Sequence, residues 1–167
     1  MNEEIIEQIA LKNKTEDEVV EEKRMITWLF FSIAGKKYAV KSGDVLEIIR
    51  DVAVYRLPFM PNYIEGVLNR RGDPFTVINP RLLLGEKETV PPEEPLFLIL
   101  KRDDDQLSLH ISDILFFAEM DENELNLIPG NDEEAFFLGT LGYNGEEIPV
   151  LNPNAFELLI RKDLGSD

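Results

Sequence analysis

Short runs of β-branched and aromatic residues dominate the chain from Ile26 onward. They are separated by turns that contain glycine or polar residues, which is typical of β-strands rather than of helices. In the first half the runs are ITWLFFSI, KKYAV, DVLEII, IEGVLN and FTVINP, and in the second half they are PLFLIL, QLSLHIS, DILFF, FFLGTLG and EIPVLNP. The pattern therefore predicts an all-β fold.

Two stretches of the chain, GVLNRRGDPFTVINP at 66–80 and GTLGYNGEEIPVLNP at 139–153, resemble each other. Their first glycines, second glycines and final prolines are each 73 residues apart, and Asp44–Leu46 matches Asp113–Leu115 at a spacing of 69. Such self-similarity indicates an internal repeat. Two units of about five short strands are too small for open sandwiches. The sequence therefore predicts two tandem closed barrels, with a boundary at the two prolines at 91–92.

Both ends of the chain carry helix signals. Ile5, Ile6 and Ile9 recur at helical spacing, and Thr15–Glu18 has the form of a capping box. This acidic segment is either a solvated tail or a docking helix. Near the other end, Asn154 has the residue type of an N-cap. The predicted organisation is an acidic extension over 1–25, a domain over 26–155 with a first barrel over about 26–90 and a second over about 91–155, and a C-terminal helix and tail over 156–167.

Charge removes several classes of partner. The 167-residue chain has 33 acidic and 17 basic side chains, which gives a formal net charge of −16. A surface of that sign repels phosphate backbones and anionic lipid. We therefore expect no nucleic-acid partner and no direct membrane insertion. The acidic N-terminus and the lack of a long apolar run favour a cytoplasmic location.

The sequence offers few residues for catalysis or metal binding. It has no cysteine and one histidine, His110, which is expected to be a packed or surface residue. Asp103–Asp105 lack the spacing of a calcium loop and are predicted to form a hairpin turn. The common nucleotide-binding, serine-hydrolase and zinc-protease motifs do not occur. We expect no catalytic residues, no metal site and no cofactor, and a small hydrolase that uses acidic residues is the alternative from another class.

The stretch VLEIIRDVAVYRLPFMPNYIEGVLNRRG at 45–72 resembles the core of the CheW family. Members of that family have a V-x-E-I strand, a loop that contains proline, and a G-V-x-N-L-R-G turn. The resemblance extends over about Ile26 to Ala155. The matching residues are Val45, Glu47, Ile48, Pro61, Ile64, Gly66, Val67, Asn69, Arg71 and Gly72.

This resemblance implies both a fold and a function. The fold is a pair of five-stranded SH3-like barrels. The function is that of a cytoplasmic adaptor, recruited to membrane-associated receptor arrays, which couples chemoreceptors to the histidine kinase CheA by non-covalent bridging. The resemblance further implies that one barrel contacts the regulatory domain of CheA, and that the groove between the barrels contacts the signalling tip of a methyl-accepting chemotaxis protein.

The sequence also departs from the family pattern. Arg70 stands where the family has leucine, Asp73 and Pro74 replace apolar residues, and Thr76 replaces a proline. These differences leave a second role open within the same class. In that role the chain is a divergent paralogue that modulates signalling, or competes for one partner, without bridging both.

The family motif predicts a partner-binding site. Half of its apolar residues are expected to be core, and the others to form a patch for an amphipathic receptor hairpin. Gly66 is expected to allow close approach of a strand or of a receptor helix, or to form a bulge, and Glu47 to be either a contact or a rim charge. The predicted residues are Val45, Glu47, Ile48, Ile64, Gly66, Leu68, Asn69, Arg71 and Gly72.

The two adjacent arginines receive different predictions. The equivalent turn of the second repeat, Gly142–Gly145, has no positive charge, so the turn itself does not require arginine. Arg71 matches the family arginine, and its guanidinium suits a partner carboxylate, with an intramolecular salt bridge as the alternative. Arg70 is predicted to be a solvated charge. Asn69 is expected to shape the turn, and Gly72 to adopt a positive φ.

Overall fold

The computed structural model describes residues 24–85, 94–103, 105–128 and 135–165. These ranges contain twelve strands and two α-helices, so the all-β prediction is confirmed. The predicted N-terminal helix lies outside the described residues. The strands are β1 (Met25–Ile33), β2 (Lys36–Lys41), β3 (Val45–Arg50), β4 (Val54–Tyr55), β5 (Ile64–Arg70), β6 (Asp73–Ile78), β7 (Leu96–Leu100), β8 (Leu107–Ile111), β9 (Asp113–Asp121), β10 (Leu125–Leu127), β11 (Phe137–Tyr143) and β12 (Glu146–Leu151), and the helices are α1 (Pro80–Leu83) and α2 (Pro153–Asp163).

The strands form two six-stranded sheets, each one strand larger than predicted. Sheet A has the order β10-β11-β12-β2-β1-β9, and sheet B has the order β3-β7-β8-β6-β5-β4. Each sheet takes two strands from one half of the chain and four from the other. The predicted division of the barrels near residue 90 is therefore wrong. The physical reason is that β1 and β2 pair with β9 and β12 of the second half, while β7 and β8 pair with β3 and β6 of the first half.

The pairing of the two equivalent hairpins confirms the internal repeat. Gly66 pairs with Val77 between β5 and β6, and Gly139 pairs with Val150 between β11 and β12. The spacing of 73 is thus kept on both strands of the hairpin. The register also shifts immediately before the glycine in each case.

The spacing of 69 relates the remaining strands. Phe31 of β1 pairs with Ile114 of β9, and Leu100 of β7 pairs with Val45 of β3. Both residues of the first pair are therefore 69 positions from a residue of the second pair. Each repeat gives its first two strands to the sheet that contains the last four strands of the other repeat.

Three clusters of buried side chains account for the fully apolar runs. Leu29 of β1, Leu98 of β7 and Phe156 of α2 belong to a central cluster shared by both sheets. Trp28 belongs to a cluster within sheet A, and Leu68 to a cluster within sheet B. Successive residues of β1 and β7 alternate between the central cluster and the cluster of their own sheet. Both faces of these strands are buried, which explains why the sequence shows continuous apolar runs there.

Helix α2 covers the central cluster and begins earlier than predicted. Pro153 occupies its first turn, because proline lacks the N–H that this turn leaves unpaired. The prediction of Asn154 as N-cap is therefore wrong, and Asn154 lies exposed inside the helix. At the other end of the helix, the Tyr63 hydroxyl donates to Asp163 Oδ2 at 2.5 Å. Burial, and then this hydrogen bond, raise the pKa of Tyr63.

Arg102 connects the loop after β7 to α2. Its Nε donates to Asp105 Oδ1 at 2.6 Å, and its Nη2 donates to Glu157. Burial raises the pKa of Asp105, and the hydrogen bond from Arg102 opposes that change. Burial also acts to raise the pKa of Glu157, but hydrogen bonds with Asp105 and Arg102 outweigh it and the pKa is lowered. Asp103 and Asp105 lie between β7 and β8, which pair antiparallel. The prediction that they belong to a hairpin connection is therefore confirmed.

Candidate partner-binding site

The four apolar residues of the predicted site divide between core and surface margin. Ile64 is 7% exposed and belongs to the central cluster, and Leu68 is fully buried in the sheet B cluster. Val45 and Ile48, both on β3, are half-buried and pack against the central cluster. The expectation that half of these residues are core is met. Val45 and Ile48 are the pair whose side chains remain partly accessible.

Gly66 lies where the backbones of two strands approach closely. A Cβ atom added to Gly66 would lie 2.1 Å from the carbonyl oxygen of Tyr55 in β4, and the φ of Gly66 is +147°. Gly139 of the second repeat has the same environment, with its added Cβ 2.1 Å from the carbonyl oxygen of Asn126 in β10. Gly66 was predicted to allow close approach of a strand or of a receptor helix, or to form a bulge. The structure shows close approach of strand β4, together with a shift in register at Gly66.

The turn between β5 and β6 has the predicted geometry. The Gly72 N–H donates to Asn69 Oδ1 at 2.8 Å, and the φ of Gly72 is +88°. The turn-shaping role predicted for Asn69 and the positive φ predicted for Gly72 are therefore confirmed. Arg71 is exposed and has a φ of +51°, and Asn144 occupies the same position of the second hairpin with a φ of +47°. Asparagine tolerates this left-handed conformation better than arginine does.

The structure reverses the predicted roles of the two arginines. Arg70 Nε donates to Glu47 Oε2, and the two side chains are only 16% and 34% exposed. The prediction of Arg70 as a solvated charge is wrong, because it continues the inward-facing alternation of Leu68 along β5. Strand alternation was the signal that the sequence offered for this. Arg71 makes no hydrogen bond or ion pair with the described part of the chain. The intramolecular salt bridge that was the alternative for Arg71 is formed by Arg70 instead.

The ion pair of Arg70 and Glu47 also closes sheet B on itself. Glu47 lies on β3, at one edge of the sheet, and Arg70 lies on β5, next to the other edge. Contact between them requires the sheet to roll until its edges meet, which is the closed form predicted from the sequence. In sheet A the equivalent residues are Phe116 on β9 and Tyr143 on β11, and their ring centroids are 4.8 Å apart. One sheet therefore closes through an ion pair and the other through an aromatic pair.

Sequence reasoning missed the equivalent margin on β9. Ile114 packs against the central cluster as Val45 does. Phe117, 69 positions after Ile48, is 56% exposed, and Leu115 is also exposed. The spacing of 69, already visible at the start of β9, would have identified these residues as counterparts of those on β3.

A second group of exposed apolar side chains follows β4. Tyr55 and Leu57 are exposed, and Phe59 is fully exposed. The φ of Phe59 is +60°, a conformation that aromatic residues seldom adopt. Exposed apolar side chains that gather into one patch mark an interaction site for another protein, so this segment is a candidate for such a site. We call this segment, Tyr55–Phe59, the β4 loop.

His110 lies beside one carboxylate and one aromatic ring. His110 Nδ1 lies 2.7 Å from Glu65 Oε1, and the imidazole packs 4.9 Å from the ring of Phe97, so the prediction of a packed residue is confirmed. Within the described ranges, no cluster of three or more histidine, aspartate or glutamate residues is arranged to hold a metal ion. None of the helices described has the length and apolarity needed to cross a membrane.

Comparison with known proteins identifies the family of this chain. The family model described as CheW-like domain matches residues 27–158. The chain belongs to the CheW-like domain family. A relative named chemotaxis protein CheW, from Helicobacter pylori (strain ATCC 700392 / 26695), is 25% identical over 141 residues, which cover 83% of this chain and 84% of that protein.

A solved CheW structure has the same fold. The crystal structure of scaffolding protein TtCheW from Thermoanaerobacter tengcongensis superimposes with a TM-score of 0.70 at 23% identity. The match covers 77% of this chain and 89% of that chain. The two-barrel architecture implied by the resemblance to CheW is therefore confirmed at the level of the fold.

Proposed function

We propose that this chain is a chemotaxis adaptor that couples chemoreceptors to the histidine kinase CheA by binding both at once. Membership of the CheW-like domain family supports this proposal, as does the resemblance to a protein named for chemotaxis. The chain performs no chemistry in this role. It acts by non-covalent bridging and is recruited to receptor arrays through its partners.

The observation that carries the proposal is an apolar margin repeated on both sheets. Val45 and Ile48 form it on β3, and Ile114 and Phe117 form it on β9. Three of these side chains pack against the central cluster, to which both sheets contribute, so both strands lie near the place where the sheets meet. An amphipathic helix can lay its apolar face against an apolar margin of this kind. We assign the receptor signalling tip, a helical hairpin, to this margin.

We assign the regulatory domain of CheA to the β4 loop. Its exposed side chains, Tyr55, Leu57 and Phe59, do not belong to the β3 and β9 margin. A bridging protein requires two surfaces that do not overlap, because one partner would otherwise displace the other. Aromatic residues are over-represented among those that dominate binding energy at protein interfaces.

The test is size-exclusion chromatography of the full chain with the CheA regulatory domain and a receptor tip, separately and together. Bridging predicts two binary complexes and one ternary complex. A protein that competes for one partner without bridging gives binary complexes alone, and a chain that binds neither partner is not an adaptor of this pathway.

Single substitutions separate the two surfaces. We expect Phe117→Glu to weaken receptor binding by about tenfold or more and to leave kinase binding intact, since a charge in an apolar groove is desolvated without a partner. We expect the converse for Phe59→Glu. Leu164→Glu is the matched control, because Leu164 is an exposed apolar residue beyond α2, outside both surfaces. Equal losses for all three variants would contradict the assignment of the surfaces.

A further inference from the structure

The ion pair of Arg70 and Glu47 occupies a position where the fold accepts an uncharged pair. The equivalent residues, Tyr143 and Phe116, close sheet A by aromatic contact at 4.8 Å. A partly buried ion pair loses hydration that the attraction between its charges only partly restores. Apolar side chains of similar size are often as stabilising. Closure of the sheet therefore does not explain why this position is charged.

Arg71 presents the opposite situation. It is exposed, lies in a left-handed conformation better suited to the asparagine of the second hairpin, and has no hydrogen-bonding or ionic partner among the residues that the structure describes. Glu47 pairs with Arg70, the neighbour of Arg71. Its carboxylate is therefore the internal group that would compete with a partner for Arg71.

We propose that Arg70 is a positioning residue: by holding Glu47, it keeps Arg71 unpaired and available to a carboxylate on the partner. This inference rests on the proposed function, because it needs a partner to bind. The family pattern has leucine at position 70, and leucine cannot form an ion pair with the glutamate. Arg70 thus gives this chain a cation whose availability does not depend on breaking an internal ion pair first.

The physical basis is competition between an internal and an external carboxylate. If Glu47 is free to bind Arg71, the partner must displace it, and the measured affinity is the intrinsic affinity multiplied by the fraction of molecules in which Arg71 is unpaired. Arg70 removes that competition, because its fixed ion pair satisfies Glu47. The guanidinium of Arg71 then keeps both edges of its planar fork for a bidentate contact with the partner.

The experiment measures the affinity of the full-length chain for the CheA regulatory domain and for the receptor tip by calorimetry. Arg71→Asn first identifies which of the two partners Arg71 contacts, as the one whose Kd rises. For that partner we expect Arg70→Leu to raise the Kd by about tenfold, since Glu47 then pairs with Arg71. Arg70→Lys is expected to restore most of the affinity, because lysine also neutralises Glu47.

The decisive variant replaces the ion pair with the aromatic pair of sheet A. Glu47→Phe with Arg70→Tyr removes both the competitor and the residue that restrains it, so its affinity should return to within about threefold of wild type. Adding Arg70→Leu to Arg71→Asn should cause no further loss. Tyr143→Leu is the control for closure of a sheet without charge, and its Kd should match that of wild type.

Two results would overturn the inference. One is an unchanged Kd for Arg70→Leu. The other is a doubly substituted aromatic variant as weak as Arg70→Leu, because that would mean that the ion pair itself contacts the partner. Urea unfolding of each variant excludes loss of fold as the cause. If the wild type binds neither partner, the proposed function fails instead, and that outcome is visible before any variant is compared.

Discussion

Substitution of Gly66 by alanine tests whether close approach of β4 to β5 holds the β4 loop in place. The added Cβ would lie 2.1 Å from the Tyr55 carbonyl oxygen, and a methyl group in ordinary contact with an oxygen needs more than 3.0 Å. Strand β4 must therefore move by about 1 Å, because the obstructing atom is backbone and has no rotamer to change. β4 has only two residues, Val54 and Tyr55, paired to β5, so a small shift disrupts all of its pairing.

The magnitude follows from two contributions. Loss of the backbone hydrogen bonds between β4 and β5 costs about 1 kcal/mol each. The positive φ of Gly66 adds about 1 kcal/mol for a residue that has a Cβ. We therefore expect Gly66→Ala to lower the free energy of unfolding by about 3 kcal/mol. The affinity for the CheA regulatory domain should fall as well, because Tyr55 begins the β4 loop.

Two matched glycines separate these contributions. Gly139→Ala meets a backbone oxygen at the same 2.1 Å without a positive φ, so it reports the steric contribution in the other sheet and should leave kinase binding intact. Gly72→Ala has a φ of +88° with no atom within 4 Å, so it reports conformational strain alone, about 1 kcal/mol. Urea unfolding followed by the fluorescence of Trp28, the one tryptophan of the chain, provides the measurement. Equal stability of Gly66→Ala and Gly72→Ala would refute the steric argument.

Three further substitutions test the rest of the structure. Tyr63→Phe removes the hydrogen bond to Asp163 and should cost about 1 kcal/mol of unfolding free energy, measured by urea titration. Arg102→Ala should cost about 2 kcal/mol at neutral pH. Because the folded-state pKa of Glu157 is lowered, its contribution is present above the unfolded pKa and is lost as pH falls through the folded value, so the stabilities of wild type and Arg102→Ala should converge as pH falls through that folded pKa. Arg71→Asn should raise the unfolding free energy by about 0.5 kcal/mol while it weakens partner binding, and a parallel gain in both would contradict a contact role for Arg71.

Local sequence predicted the strands and the repeat well, because both depend on short-range patterns. The glycines at 66 and 139 and the residues that follow them keep one spacing along the chain and in the pairing register. The exchange of strands between sheets was missed. It depends on the parallel pairing of β6 with β8 and of β12 with β2, which joins segments distant in sequence. No turn or composition signal marks such a contact, whereas the prolines at 91–92 are a strong but misleading sign of a boundary.

The candidate site was predicted in part, for a related reason. The backbone roles of Asn69 and Gly72 follow from turn chemistry that a few residues determine. The roles of Arg70 and Arg71 depend on which of the two side chains faces inward. That is determined by the alternation of side chains along β5 and by the contact between β5 and β3 where sheet B closes. The motif drew attention to Arg71, while the position with an internal partner was Arg70.

The exchange of strands also bears on how an adaptor can transmit a signal. Two tandem barrels joined by a linker would be free to move relative to one another, as domains with small interfaces generally are. Here each repeat contributes two strands to the other sheet, and the central cluster contains residues of both sheets. The connections from β2 to β3 and from β8 to β9 each cross from one sheet to the other within a few residues, so no long linker separates the sheets. If the proposed assignment holds, a receptor tip at the β3 and β9 margin would contact both sheets of a single packed unit, and a displacement there would reach the β4 loop through rigid packing instead of being absorbed at a hinge.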